Sequence, residues 1–261
     1  MAFESELDIY ALTTLTKANY YLGLTSDGGT VDNYIERIIN RASDIIENAL
    51  NRKLKSRLYV KERYDGKDQG VIYLKQYPVL VINLDDLVWD ADTKTVTRSD
   101  GGSFVDDGFV AGDKVLVQNS DENSGLLTIA TNGVTTFILT FDNTIVNDTD
   151  DDGVTISNFR ELWIGEDKID GNNYIIDRDN IYYASGFSEG QKNIRMTYYA
   201  GYSTIPDDIE EYCLELVKKI YDKDRGVKSE SLGPHSITYS DRDNVIEDIR
   251  KGLSTYINVV I

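Results

Sequence analysis

Sulfur and imidazole are scarce in this chain: 261 residues hold one cysteine, Cys213, and one histidine, His235. A lone cysteine cannot close an internal disulfide, and one cysteine with one histidine falls short of the ligands of a structural zinc site. Cys213 lies on the apolar stripe of a predicted helix, which reads as a small buried hydrophobe. No apolar run is long enough to span a bilayer, and the first residues carry Glu4, Glu6 and Asp8 where a secretory leader would be basic and then apolar. That predicts synthesis in the cytoplasm. The phosphate-cradling Gly-x-x-x-x-Gly-Lys and the dinucleotide Gly-x-Gly-x-x-Gly runs are also missing. Positive charge is the last shortage: 27 basic against 45 acidic side chains give a formal net charge of -18. A general nucleic-acid binder, whose affinity rests on neutralising phosphates, is thereby disfavoured. No cofactor is expected.

Hydrophobic residues make up 41% of the chain, enough to bury a real core in one or two domains. Val31, Ile35, Ile38, Ile39, Ala42, Ile45, Ile46, Ala49 and Leu50 recur at helical spacing, predicting a long amphipathic helix that starts near Thr30. Apolar or alternating runs follow at Leu58 to Tyr64, Val71 to Leu74 and Val79 to Leu84, broken by Asp65-Gly66 and Pro78, and read as strands. Near the other end, Met196 to Ala200 predicts a strand. Gly201 to Pro206 then supplies a turn and a helix start, with Asp207 and Asp208 in the first turn and Lys218, Lys219 and Lys223 towards the end. Gly226 stops that helix. Val227 to Ser240, with Gly233 and Pro234 before a strand-like Ile237 to Tyr239, reads as a projecting arm or as a surface loop between helices. A last helix is predicted over Asp243 to Ile257, followed by the apolar end Val259, Val260 and Ile261.

Between about Asp90 and Phe159 the composition turns to Gly, Asp, Asn and Thr with short apolar strands: Lys114 to Val117, Leu126 to Ala130, Thr136 to Phe141 and Val154 to Ile156. Turn pairs such as Asp107-Gly108, Asn132-Gly133 and Asp152-Gly153 punctuate them, predicting an inserted antiparallel barrel or sandwich. Leu162 to Ile164, Tyr174 to Ile176 and Ile181 to Tyr183 are expected to resume the main sheet.

Three constellations bear on chemistry. Gly186-Phe187-Ser188-Glu189-Gly190 matches the hydrolase nucleophile pattern, but strand-like flanks make it a hairpin loop, and His235 would be its only base. Asp148, Asp150 and Asp152, with Gly153 in sixth place, begin like a calcium loop, yet the twelfth place holds Phe159 where a bidentate glutamate belongs. A solvated acidic turn is the plain alternative. Basic residues gather on the long helix and the strand after it, among them Arg37, Arg41, Arg52 and Arg63, and again from Lys218 to Lys228. They read as solvated faces, or as surfaces that meet an acidic neighbour and set its register.

The order of these pieces resembles a known family. The stretch RMTYYAGYSTIPDDIEEYCLELVKKIYDKDRGVKSESLGPHSITY (195–239), with YIERIINRASDIIENALNRKL (34–54) and YLKQYPVLVINLDDLVW (73–89), is similar to the head-tail connector (adaptor) proteins of tailed bacteriophages. The segment TVTRSDGGSFVDDGFVAGDKVLVQNSDENSGLLTIA (95–130) resembles small β modules of phage structural proteins. The resemblance implies an α+β fold: a helical connector core with a small antiparallel sheet over 1–88 and 160–261, and an inserted all-β barrel or sandwich over 89–159. It implies a structural role in the virion neck and no enzyme activity. Twelve subunits would form a ring beneath the portal protein, meet a tail, stopper or neighbouring neck protein, and let duplex DNA pass without sequence-specific binding or contact with a membrane. Contacts to the portal or an adjacent subunit would then come from Val227, Leu232, Gly233, Pro234, His235, Ile237 and Tyr239 of the arm. Leu253, Ile257, Val259, Val260 and Ile261 would add the C-terminal end. A calcium- or carbohydrate-binding virion module and a carboxylate-dependent hydrolase are the other readings.

Overall fold

The structure, a computed structural model, describes residues 6–224, 229–232, 235–238 and 242–257. The chain divides into two compact units, Met1–Lys55 with Thr204–Ile261, and Ser56–Ser203.

The first unit is helical. It holds α1 (Leu15–Leu22), α2 (Thr30–Leu50), α4 (Asp207–Asp224) and α5 (Arg242–Gly252), while the short α3 (Phe104–Asp107) belongs to the other unit. Each start has a local chemical cause. Thr14 Oγ1 accepts the Lys17 N–H at the head of α1, and Gly23 closes that helix in the left-handed region at φ 66°. The Asp27 carboxylate accepts from Gly29, Val31 and Asp32 N–H groups at the head of α2. Before α4, the carbonyl of Pro206 accepts from Glu210 N at 3.0 Å, so proline sits where its missing N–H costs nothing. The apolar stripes then meet. Ile35, Ile38, Ile39, Ala42 and Ile46 of α2 are buried, as are Ile209, Cys213, Leu216 and Val217 of α4. Ser43 Oγ lies 3.9 Å from Cys213 Sγ, and the rings of Tyr34 and Tyr221 pack 6.2 Å apart. Burial pushes the Cys213 thiol up to about 12, which keeps it protonated and inert.

The second unit is almost wholly antiparallel β. Its strands are β1 (Arg57–Gly66), β2 (Gln69–Tyr73), β3 (Val81–Leu84), β4 (Leu87–Asp90), β5 (Thr95–Thr97), β6 (Lys114–Gln118), β7 (Gly125–Val134) and β8 (Ile138–Phe141). There follow β9 (Asp148–Asp151), β10 (Val154–Ser157), β11 (Phe159–Ile164), β12 (Asp167–Ile169), β13 (Tyr174–Ile176), β14 (Asn180–Phe187) and β15 (Gly190–Ala200). Eight of them make one sheet in the order β3-β10-β6-β7-β8-β5-β4-β9. β7 pairs with β6 at its start and with β8 further on, and both halves of the sheet enclose one core that includes Trp89, Phe104, Val115, Val117, Ile129, Phe141 and Ile156. A four-stranded sheet, β1-β15-β11-β12, and a three-stranded sheet, β13-β14-β2, share a second core around Phe159, Leu162, Tyr174, Ile181, Phe187 and Tyr198. Period-two alternation along β6 links the two: Val115 and Val117 enter the first core and Leu116 the second. The chain enters and leaves this unit at one place, where Ser56 N donates to Tyr202 O at 3.0 Å and Arg57 pairs with Ala200.

The expected α+β fold with a helical connector core is therefore corrected. Strand outweighs helix, 37% against 28%, and a large eight-stranded sheet dominates. The strands on either side of 89–159 do not form a small sheet on the helices; they build two sheets around their own aromatic core within Ser56–Ser203. The physical reason is the spread of buried aromatic and β-branched residues, from Tyr64 through Phe159 to Tyr198, which the short runs between turns conceal. A second correction concerns Gly186 to Gly190. β14 pairs with β13 and β2, and β15 pairs with β1 and β11, so these residues turn a corner between two sheets and do not close a hairpin.

After α4, β16 (Ser229–Leu232) and β17 (His235–Thr238) form an antiparallel two-stranded sheet of their own.

Candidate functional site

The predicted acidic turn at Asp148 to Asp152 is mostly a strand. β9 runs Asp148–Asp151 and pairs with β4, Leu87 opposite Asp151 and Trp89 opposite Asp148. Carboxylates are poor strand formers, but β9 is the last strand of the eight-stranded sheet, and charge on an edge strand blocks pairing with other chains. Asp151, only 3% exposed, turns inward and accepts from Trp89 Nε1 at 2.8 Å and Ser120 Oγ at 2.6 Å. Asp152 instead accepts from Asp86 N, while Asp85 accepts from Gly153 N, locking two turns against each other. The side chain of Asp150 lies outside the described residues. Phe159, at the place of the twelfth ligand, is fully buried in the second core.

A different set of carboxylates converges. Asp121, Asp148 and Asp151 each offer an oxygen, and these oxygens lie within 4.8 Å of one another. Asp121 N also donates to Asp151 Oδ1 at 3.3 Å, and Asp148 Oδ2 is sealed from solvent with no hydrogen-bond partner. Hard oxygen ligands at this spacing suit a calcium-sized cation. Sequence spacing missed Asp121 because the loop after β6 delivers it from 27 residues upstream of Asp148. The surroundings are strongly acidic: from Val81 to Ser157 only Lys94, Arg98 and Lys114 face fifteen carboxylates. Arg98 is buried and already committed, bidentate to Asp100 at 2.6 Å and bonded to Asp107 at 2.5 Å, with its guanidinium over the Phe104 ring. Gly102 makes room for it, since a Cβ there would strike the guanidinium.

A polar cluster without a local signature lies in the second core. Tyr64 and Tyr198 hydroxyls are 2.6 Å apart, and both bond Glu62 Oε2 at 2.5 Å, while Lys75 N donates to Tyr64 Oη. Both phenols are held well above their usual range, first by burial, then by the Glu62 carboxylate for Tyr64 and by Tyr64 and Glu62 for Tyr198. They stay protonated and act as hydrogen-bond donors that join β1 to β15. Glu62 and Tyr64 share a strand face, but their partner is 134 residues from Tyr64, and no local pattern reveals it.

Of the residues expected at a portal or subunit contact, Leu253 is 1% exposed and packed inside its own unit, and Ile257 is half-buried. Leu232 is the last residue of β16; His235 and Ile237 belong to β17, where they pair with Leu232 and Glu230. Val227, Gly233, Pro234, Tyr239, Val259, Val260 and Ile261 lie outside the described residues. Ser188 stands at the corner between β14 and β15 in Ser56–Ser203, whereas His235 belongs to the other unit.

No protein-family model matches the chain, and comparison with curated proteins finds no match.

Proposed function

We propose that this chain is a structural connector subunit of a tailed-phage neck, assembling as a ring, of twelve copies by the resemblance, beneath the portal protein. One observation carries the reading. Two of the three segments that resemble the connector family, 34–54 and 195–239, are separated by about 140 residues, yet their helices α2 and α4 pack together in one unit through the Ser43–Cys213 and Tyr34–Tyr221 contacts, while the third, 73–89, lies in the β unit. The arm lies between α4 and α5 in the chain, and among the described residues it forms a two-stranded sheet, a kind that gains stability from further packing such as assembly on another molecule. The acidic stretch from Val81 to Ser157 suits a protein that must let duplex DNA slide past, because like charge within roughly 10 Å repels phosphates. Electron microscopy of the purified chain mixed with its portal tests the proposal. A collar of density under the portal is expected; a monomer that ignores the portal and is missing from purified particles would overturn it.

The Asp121, Asp148 and Asp151 cluster favours a second role, cation binding by the eight-stranded sheet. Calcium there would tie β9 to the loop after β6 and stabilise the sheet's edge. A rise in thermal midpoint with added calcium, lost in Asp148→Asn, is the expected result. An unchanged midpoint would remove the role.

A further inference from the structure

We infer that the four-stranded sheet β1-β15-β11-β12 binds an acidic, extended segment of another protein, through a row of cations that crosses all four strands. Strand register draws the row. Arg63 of β1 lies opposite Arg195 of β15, Arg195 opposite Trp163 of β11, and Trp163 opposite Lys168 of β12. Their chain neighbours Tyr64, Ile194, Met196 and Leu162 enter the second core and Ile169 packs against it, so alternation turns the row itself away from that core. Two arginines directly opposite each other repel, and the sheet gains nothing from that pairing on its own. An anion laid across them reverses the sign.

The row's charge is largely unspent. Arg63 is exposed, and among the described residues its guanidinium has no ion-pair or hydrogen-bond partner. Lys168, 51% exposed, stands 3.9 Å from Glu161, whose other oxygen accepts from Thr197 Oγ1 at 3.0 Å. Arg195 donates to the Gly165 carbonyl at 2.6 Å and lies 3.6 Å from Glu166, a side chain 95% exposed. Trp163 neutralises nothing, since its Nε1 is itself a sealed donor without an acceptor. A carboxylate-bearing peptide fits this row better than a nucleic acid does. The Arg195 guanidinium packs over the Trp163 ring at 5.3 Å, and Arg160 over the Tyr199 ring at 4.9 Å, so both half-buried rings are already engaged and offer a base little platform. A long polyanion would also meet the fifteen carboxylates of Val81 to Ser157 in the same unit, whereas a short acidic segment brings few charges of its own. Spacing agrees: four strands at about 4.8 Å span about 14 Å, and three alternate acidic residues of an extended chain span about 13–14 Å.

Fluorescence anisotropy of the full chain with a labelled peptide of alternating glutamate and serine tests this, beside the same peptide with glutamine for glutamate and a labelled oligothymidine. The acidic peptide alone is expected to bind, with an affinity that fades as salt rises and is about tenfold weaker in the double variant Arg63→Glu/Lys168→Glu. Arg63→Glu alone, at an exposed position with no partner to lose, carries the same test should the double variant misfold, with a loss of about threefold. Lys94→Glu, an equal charge reversal on the turn before β5, is expected to leave the affinity unchanged. Equal binding of the glutamine peptide, tighter binding of the oligonucleotide, an equal loss from Lys94→Glu, or no binding of the acidic peptide would each overturn the inference. Those results leave the connector reading standing, since it is tested separately by microscopy with the portal.

Discussion

The helical unit and the eight-stranded sheet solve the same burial problem with surfaces of unequal charge. Helices α2 and α4 bring both signs of charge, and their acids are used locally: Glu210 holds Lys17 and Thr13, while Glu47 holds Lys53 and the Leu54 N–H. From Val81 to Ser157 the carboxylates have almost no cations to meet; Arg98 takes Asp100 and Asp107, and others that are satisfied rely on backbone N–H groups, an indole and hydroxyls. The lesson is that the chain's net charge of -18 does not describe it evenly. The helical unit carries 14 basic against 20 acidic side chains, both signs that suit specific association, whereas the 3 against 15 of Val81 to Ser157 suit avoidance of other polyanions or capture of cations.

The sharpest way to break this comparison is to remove one side of it. Because Ser56 and Tyr202 are hydrogen-bonded neighbours, replacing 56–203 with a short Gly-Ser linker is expected to leave a cooperatively melting helical unit with its far-UV helix signal intact. Loss of that signal would show that the two units depend on each other. Next in size, Phe159→Ala is expected to cost about 3–5 kcal/mol by urea unfolding of the β unit, since the ring is fully buried against Tyr174 and Tyr198. A smaller loss, about 1–3 kcal/mol, is expected for Trp89→Phe, which keeps one aromatic ring but takes the indole donor from buried Asp151.

The pH response separates the regions further. Hydrogen bonds from Ser26 and Asn19 hold Asp32 below the usual carboxylate range, as those from Gly29 and Val31 hold Asp27. Such depressed groups add stability above their unfolded pKa and withdraw it as pH falls through the folded one, so the start of α2 should weaken in acid. Asp113, at the head of β6, is shifted the other way by burial, more than Arg160 and Tyr199 offset. Its contribution runs in reverse, with stability lost as pH rises through its folded pKa. Asp32→Asn should therefore flatten the acid limb of the helical unit's melting temperature, and Asp113→Asn should raise the β unit's midpoint near neutral pH. Equal acid sensitivity of both variants and the parent would contradict the assignment. The smallest effect is expected for Tyr20→Ser on α1, a side chain 89% exposed, which should change stability by no more than about 0.5 kcal/mol.

Legibility in the sequence followed the range of the physics. Apolar stripes of period near 3.6 revealed α2 from Thr30 and α4 behind Pro206, because each signal lies within one turn of its cause. The strands at Lys114, Val154 and Tyr174 showed as short apolar runs between turn signals. Hidden were the elements whose stability is borrowed. β9 has no apolar face and exists because β4 pairs with it, and α1 is only eight residues long and rests on α2 and α4. The partition of short strands into three sheets depends on cross-strand partners as distant in sequence as Arg57 with Ala200, and no local window carries that information. For the same reason the aspartates at 148, 150 and 152 gave a cation loop in sequence, while the structure gathers Asp148 and Asp151 with Asp121.

The central claim is that this chain acts as a repeated collar segment, and mass photometry of the purified chain titrated into its portal tests it most directly. The account predicts a discrete complex whose added mass equals a fixed whole number of chains per portal ring, reached cooperatively. Portal mass unchanged at saturating chain, with every chain remaining at 29.4 kDa, would contradict it.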